Sequence, residues 1–423
     1  MFDRKPALIA RCRTTGDVRE ALRYAAIVNL PVTVRGGGHN VAGAAVADGA
    51  LLIDLSLMRD VRVDPVGRVA RAQGGCLLSD LDAATTAHDL ACPAGVVSHT
   101  GLGGLVLGGG YGWLARQWGL TCDHLIAAEV VLADGSVVEA SESEHEDLMW
   151  ALRGGGGNFG VVTRFTLRLR PVGTIHHHTA VYPAGDAVSV LRAYQTFAEQ
   201  QPDESHVVGA FQQAGAKEWV PAALVGAPAL FLTAIHTDAD RNWPDRVASF
   251  VQSTAPAAGS SRSMSYRELQ SMADRSEPHG HRYFTKSRYL TRIADPAEEL
   301  TEAALRSPAP WSSIDFEYLR GAIVRPPPGG SAFPNRDASY ICTVSAHWAD
   351  RHRDVENIEW ARQAIERLEP WLDAGAYLNY TNREPGENAV WIYGTERHGH
   401  LAKVKKRYDP DNVFRGIQNI DRI

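Results

Sequence analysis

Arg35, three adjacent glycines (Gly36, Gly37 and Gly38), His39 and Asn40 follow directly on the β-branched run Val32, Thr33, Val34. Three glycines in a row remove every Cβ, so backbone N–H groups can close on an anionic ligand without strain. Arg35 adds charge-assisted donors that suit a pyrophosphate. No amphipathic helix follows Gly38, so the spacing is not the strand–turn–helix fingerprint of dinucleotide binding. Taken alone, the stretch has a plainer alternative, a surface turn that carries a histidine. Two further segments are as rich in glycine: 101–112, with Gly101, Gly103, Gly104, Gly108, Gly109 and Gly112 around Tyr111, and 154–160, where Gly157, Asn158 and Gly160 lead into Val161 and Val162. Linkers are rich in polar residues, whereas these loops interleave glycine with Leu, Val, Tyr, Trp and Phe. The pattern predicts one long ligand held at several points by backbone.

The elements that must carry these loops are legible from periodicity. Val18, Leu22, Ala25 and Val28 recur at helical spacing and stop before Pro31. Leu51 to Leu55 reads as a strand, and Leu78, Leu81 and Thr85 mark a second helix. Ile126 to Leu132 and Val137 to Ala140 flank Asp134-Gly135, a hairpin signal. Ser143 and Glu146 form a candidate capping box for a helix that carries Leu148, Trp150 and Leu152 and ends at Gly154. Val161 to Leu169 then alternates as a half-exposed strand, closed by Pro171. Beyond it the glycine motifs vanish. Helix-period segments at 188–194 and 358–368 alternate with strand-like runs near 229–236, 282–290, 312–324 and 338–348. The His176-His177-His178 triplet opens this region. Neighbours on a strand point to opposite faces, so no metal site is expected.

The segments RGGGHN, VSHTGLGGLVLGGGYGWLARQWGLTCDHL, DLMWALRGGGGNFGVVTRFTLRL and KKRYDPDNVFRGIQNI resemble, in order and nearly end to end, the FAD-linked oxidases of the vanillyl-alcohol-oxidase superfamily. More narrowly they resemble its berberine-bridge-like and 6-hydroxynicotine-oxidase-like branch. The resemblance implies an α+β fold: a bipartite FAD-binding domain of the PCMH type at 1–172, an antiparallel-sheet substrate domain with helices on one face at 173–372, and a segment 373–423 that returns to the flavin domain. It implies FAD bonded covalently to His39. Some members add a cysteinyl link, but Val97 stands at that position, so a single tether is expected. Besides the loops above, flavin contacts are implied at Gly43, Ala94, Gly95, Thr100, Asp123, Asn379, Gln418 and Asn419.

A flavin oxidase needs a C–H bond aimed at the flavin and often a base for the adjoining O–H or N–H. By resemblance the candidates are Tyr377 and Asn379, two apart on an expected strand, and His99 beside the second glycine segment. Lys286 stands in a Tyr-x-x-Lys-Ser-x-Tyr-Leu run with Tyr283 and Tyr289. Glu317 is a strand carboxylate, with a sheet-edge ion pair as its plainer role. Asn335 departs from the histidine of the plant-type branch, which counts against plant alkaloid chemistry. The expected activity is oxidation of a small, largely apolar metabolite (aromatic, alkaloid or polyketide-like, as in secondary metabolism), with O₂ reoxidising the flavin to give hydrogen peroxide. Oligosaccharide oxidation and flavin-based drug binding or resistance remain alternatives.

Composition narrows the partners. A chain of 423 residues can hold two cores, and a net charge of -6 with no long basic block argues against nucleic acid. The basic run Lys403, Lys405, Lys406, Arg407 reads as the solvated face of a helix. No apolar run is long enough for a membrane span, the first residues lack a signal-peptide core, and five scattered cysteines make no disulfide framework. A cytoplasmic monomer or homodimer, acting on a small molecule and O₂, is the expectation.

Overall fold

The computed structural model describes the whole chain except residues 1, 238, 239, 241, 383, 417, 422 and 423. The first helix, Thr15–Val28, starts at a capping box between Thr14 and Asp17 and buries Val18, Leu22 and Ala25. It ends where Asn29 turns left-handed at φ 53°. The strands Leu8–Arg11, Leu51–Asp54 and Val32–Arg35 form a parallel sheet in that order. The first glycine loop therefore leaves from a strand end.

A five-stranded antiparallel sheet follows, in the order Val61–Asp64, Val69–Gln73, Val161–Arg168, Leu125–Val131, Val137–Ser141. The last two are a hairpin about Asp134 and Gly135, as the sequence predicts. Two local expectations fail. Ser143 does not cap the helix Glu146–Leu152: His145 does, at φ 51°, with no side-chain cap bond. The Ser143 hydroxyl pairs with Ser141 at 3.3 Å instead. Nor is Lys405 solvated. In the helix Thr395–Tyr408 it is fully buried, its Nζ donating to Asp409 Oδ2 (2.6 Å) and to the carbonyl of Asn158 (2.7 Å). That cation ties the C-terminal segment to the third glycine loop. Leu401 and Val404 of the same helix share a core with Leu148 and Leu152.

The largest sheet has eight antiparallel strands, in the order Ala258–Met264, Ile175–Pro183, Pro228–His236, Ser205–Gln213, Ser313–Tyr318, Tyr340–Trp348, Arg282–Leu290, Leu372–Asp373. The run expected to reach 324 breaks after Tyr318, because Arg320 adopts φ 69° and a short turn Gly321–Val324 follows. Period-two alternation sorts the faces. Ile314, Phe316 and Tyr318 pack with Val190, Leu191, Tyr194, Leu300 and Ile365 from the helices Ala187–Glu199, Ala297–Leu305 and Asp354–Leu368. Phe316 is fully buried, so its truncation to Ala would cost about 3–5 kcal/mol. Ser313, Asp315 and Glu317 take the opposite face, which looks into a cavity.

Candidate active site

That cavity, of about 1240 Å³, lies between the glycine loops and the large sheet. Gly36, Gly37, Gly38, His39 and Asn40 line it, with Gly95, Thr100, Gly101, Gly103, Gly104 and Gly108. Gly157, Asn158, Gly160, Val161, Val162, Asn379 and Gln418 complete this wall. The glycines divide into two kinds. A Cβ on Gly37 would lie 2.5 Å from the Gly101 backbone, so these two loops are glycine because they touch. Gly104 and Gly157 have nothing within 4 Å and leave backbone open to the cavity. Thr33 Oγ1 and Gln418 Nε2 are buried on the same wall without a protein partner among the described residues. Bare backbone and orphaned polar atoms along one long cavity fit an extended polar cofactor.

Several expected contacts lie elsewhere. Arg35 is spent on Asp54, its register partner, at 2.6 and 3.2 Å rather than on an anion. Asp123 accepts both arms of Arg336 at 2.6 and 3.0 Å. Gly43 turns against the ring of Phe2. The carbonyl of Ala94 abuts Gly112, and Asn419 bonds Asp421. Gly109 packs on Phe333, and Tyr111 donates to or accepts from His206 Nε2 at 2.8 Å. None of these eight lines the cavity.

His39 lines the cavity with its ring centroid 5.0 Å from that of His99, which lies 4.6 Å from His279. Burial, then the neighbouring His99 and His279, push the His39 pKa down to about 4, so the ring is neutral at physiological pH. Val97 lines the same wall.

Among the catalytic candidates, Asn379 and Glu317 reach the cavity. Tyr377 does not. The expected strand is a single turn, Leu378–Tyr380. The Tyr377 hydroxyl, 2% exposed, accepts N–H bonds from Gly110 (2.9 Å), Tyr111 (3.1 Å) and Asn379 (3.0 Å). Tyr380 lines the cavity in its place. Lys286 points to the other face of its strand, where it pairs with Glu387 at 2.9 Å, while its neighbours Tyr283 and Thr285 face inward. His99 stands behind His39 rather than on the cavity wall.

Sequence reasoning missed the carboxylates around Glu317. Asp315 and Glu277 line the cavity with it, and none of the three has an ion-pair partner among the described residues. Burial raises Asp315 to about 6. Burial, then repulsion from Asp315, raises Glu277 to about 7 and Glu317 well above the carboxylate range. Asp315 was discoverable, because it alternates with Ile314 and Phe316 exactly as Glu317 alternates with Phe316 and Tyr318. Glu277 sits in a loop with no period to reveal it. His206, 2% exposed with an unpartnered Nδ1, also lines the site.

Residues 6–141 match the FAD binding domain family, and residues 376–421 match the family described as berberine and berberine like. Over 99% of its length the chain is 30% identical to (R)-6-hydroxynicotine oxidase of Paenarthrobacter nicotinovorans, covering 91% of that protein. The chain belongs to the berberine-bridge-like FAD-linked oxidoreductases. An FAD-linked oxidoreductase of Dictyostelium discoideum is 28% identical over 99% of this chain and 89% of its own length. Physcomitrella patens BBE-like 1 superposes with a TM-score of 0.86 at 22% identity, covering 99% of this chain and 92% of that one. The chain is therefore an FAD-linked enzyme. Among its described residues no helix is long and apolar enough to cross a membrane.

Proposed function

We propose that this oxidoreductase is an oxidase that removes a hydride from a C–H bond beside a hydroxyl or amine of a small polar metabolite, with FAD tethered through His39 alone. The observation that carries this reading is Asp315 and Glu317 on one sheet face, without an ion-pair partner among the described residues, over the same cavity that the glycine loops line. Bound along those loops, FAD would supply the hydride acceptor and the two-electron route to O₂ that yields hydrogen peroxide. The carboxyl pair takes the substrate proton. Burial raises both, and repulsion from Asp315 raises Glu317 further, so the two titrate as a coupled pair that shares the proton. Asn379, Tyr380 and His206, which line the same cavity, orient the substrate. His39, neutral and beside the loop, supplies the nitrogen for an 8α link, and Val97 offers no sulfur for a second. The flavin unit comprises 1–172 and 373–423, and the substrate unit 173–372.

We propose a polar substrate in place of the largely apolar one expected from sequence. Thr179, Gln212, Thr233, Ser313, Thr343 and Ser345 join the carboxylates on the sheet wall. That polarity, with Trp311 half exposed at the mouth, favours oligosaccharide oxidation as the second reading. A panel of amines, alcohols and sugars, scored by anaerobic bleaching of the flavin, tests both. Asp315→Asn should slow bleaching by roughly 10²–10⁴-fold with flavin content unchanged. Bleaching at the wild-type rate would sink the carboxyl-pair assignment.

A further inference from the structure

The sheet wall is not uniform in charge. At its Asp315 side it carries carboxylates; three and four strands away it carries donors and cations. His177 is 4% exposed, lines the cavity, and neither ring nitrogen has a partner among the described residues. Directly opposite in the ladder stands Arg262, which also lines the cavity. Lys217 reaches the same region, its Nζ 5.7 Å from the Phe231 ring and 5.9 Å from that of Trp219. Neither cation makes an ion pair or hydrogen bond to a protein group among the described residues. Glu268 is turned to its own helix cap, where it accepts from the N–H (2.7 Å) and hydroxyl (2.9 Å) of Ser265. Burial, then the charges of Arg262, His178 and Lys217, push His177 down to about 4, so it is a neutral ring with an N–H to give. A buried donor with two cations beside it and no acceptor of its own is a complementary surface for an anion.

We propose that His177, Arg262 and Lys217 form a carboxylate-recognition subsite, and that the substrate is a carboxylic acid whose reacting hydroxyl or amine lies at the Asp315 end. This rests on the reading of the cavity as the substrate site. The geometry sets the reach. Phe231 pairs with Ala210 and Ala210 with Asp315, so two strand spacings of about 4.8 Å put the Lys217 region roughly 10 Å from Asp315. Arg262 lies four spacings away and four residues along the strands, because its row runs through His177 and Ile235 to His206, so it is about 23 Å from Asp315. A carboxylate held at the cationic end leaves its own acidic O–H or N–H near the carboxyl pair, which repels the carboxylate and so fixes the orientation. Both cations are exposed at the mouth, so they also draw anions in, an attraction that salt screens.

The test is binding to the flavin-loaded protein. Phenylacetate, 4-phenylbutanoate and 4-hydroxycinnamate, each against its own primary amide, are titrated while the visible flavin band is followed. At least one carboxylate should bind roughly tenfold or more tighter than its amide. The double variant Arg262→Gln/Lys217→Gln should shrink that preference to within about twofold, leaving amide binding and flavin content as they were. His177→Asn, which keeps a donor, should retain part of the preference, and His177→Phe should lose it. Equal binding of acid and amide across the set, no perturbation below about 10 mM, or an unchanged preference in the double variant would each overturn the proposal. So would loss of flavin from the double variant, which would make these residues cofactor ligands. Wild-type protein that carries no flavin band is a separate outcome and would sink the cofactor reading itself.

Discussion

The ring of His39 is neutral because burial and two neighbouring imidazoles oppose its protonation. A neutral imidazole has a free lone pair, which bonding to a flavin carbon requires. Acid-precipitated protein should therefore stay yellow, and His39→Ala should release its colour to the supernatant. Colour that stays in the pellet of that variant would place the tether elsewhere. Asp315 makes a second residue-scale prediction. A base must be deprotonated to act, and Asp315 is raised to about 6, so flavin bleaching should accelerate as pH rises through about 6 and then level off. Asp315→Asn should abolish that limb, and Glu317→Gln should leave it near 6, because burial rather than the charge of Glu317 raises Asp315. A pH-independent wild-type rate between 5 and 7 would exclude the pair as the proton acceptor. That His39 lines the cavity was legible in the sequence from its glycine context. Tyr377 was misplaced for a physical reason: the turn at Leu378–Tyr380 directs its hydroxyl onto backbone, and no single-sequence period reports a one-turn helix.

The glycine segments act as elements, and two forces shape them. Gly37 and Gly101 are required by loop-on-loop contact, whereas Gly104 and Gly157 keep backbone open toward the cavity. The sequence showed the density of glycine but not this division, because close approach is a tertiary fact. Tyr377 belongs to the same element-scale logic. Its oxygen satisfies the N–H groups of Gly110 and Tyr111. Tyr377→Phe would leave two buried donors unmet, at about 1–3 kcal/mol each. The expected outcome is a lower melting temperature and a partial loss of bound flavin as the 108–112 loop loosens. Bleaching per bound flavin should then change by less than about tenfold, well short of the loss of a proton-transfer group. A hundredfold slower bleaching at full flavin content would return Tyr377 to the chemistry. The strands near 229–236, 282–290 and 338–348 were read nearly to the residue, since their alternation reflects a sheet with one helix-covered face.

At the scale of the molecule, two cores meet along the cavity, and polar contacts hold the seam. Asp274 accepts from the backbone and hydroxyl of Ser98 at 2.8 and 2.7 Å, and Arg336 clasps Asp123. Much of this was invisible in the sequence, because each bond joins residues more than 170 positions apart. The polarity of the sheet wall was likewise hidden, since strands distant in sequence supply it one or two residues at a time. The seam also contains Asp82, on the helix Leu78–Thr86, which accepts from Gln270 Nε2 at 3.3 Å and whose Oδ1 has no partner among the described residues. It is 1% exposed, and burial raises its pKa to about 7. A carboxyl raised on folding favours the folded state while protonated. Its contribution is full below the unfolded pKa near 3.8 and is lost as pH rises toward about 7. The shift of about three units sets a ceiling near 4 kcal/mol. Asp315 and Glu277 act with the same sign, so the informative quantity is a difference between proteins. Asp82→Asn mimics the protonated acid, so the variant should gain melting temperature relative to the wild type between pH 5 and 8 and show no gain at pH 4. Melting curves of the two proteins that stay parallel across that range would mean that Asp82 is already ionised in the fold and that the seam carries a buried charge.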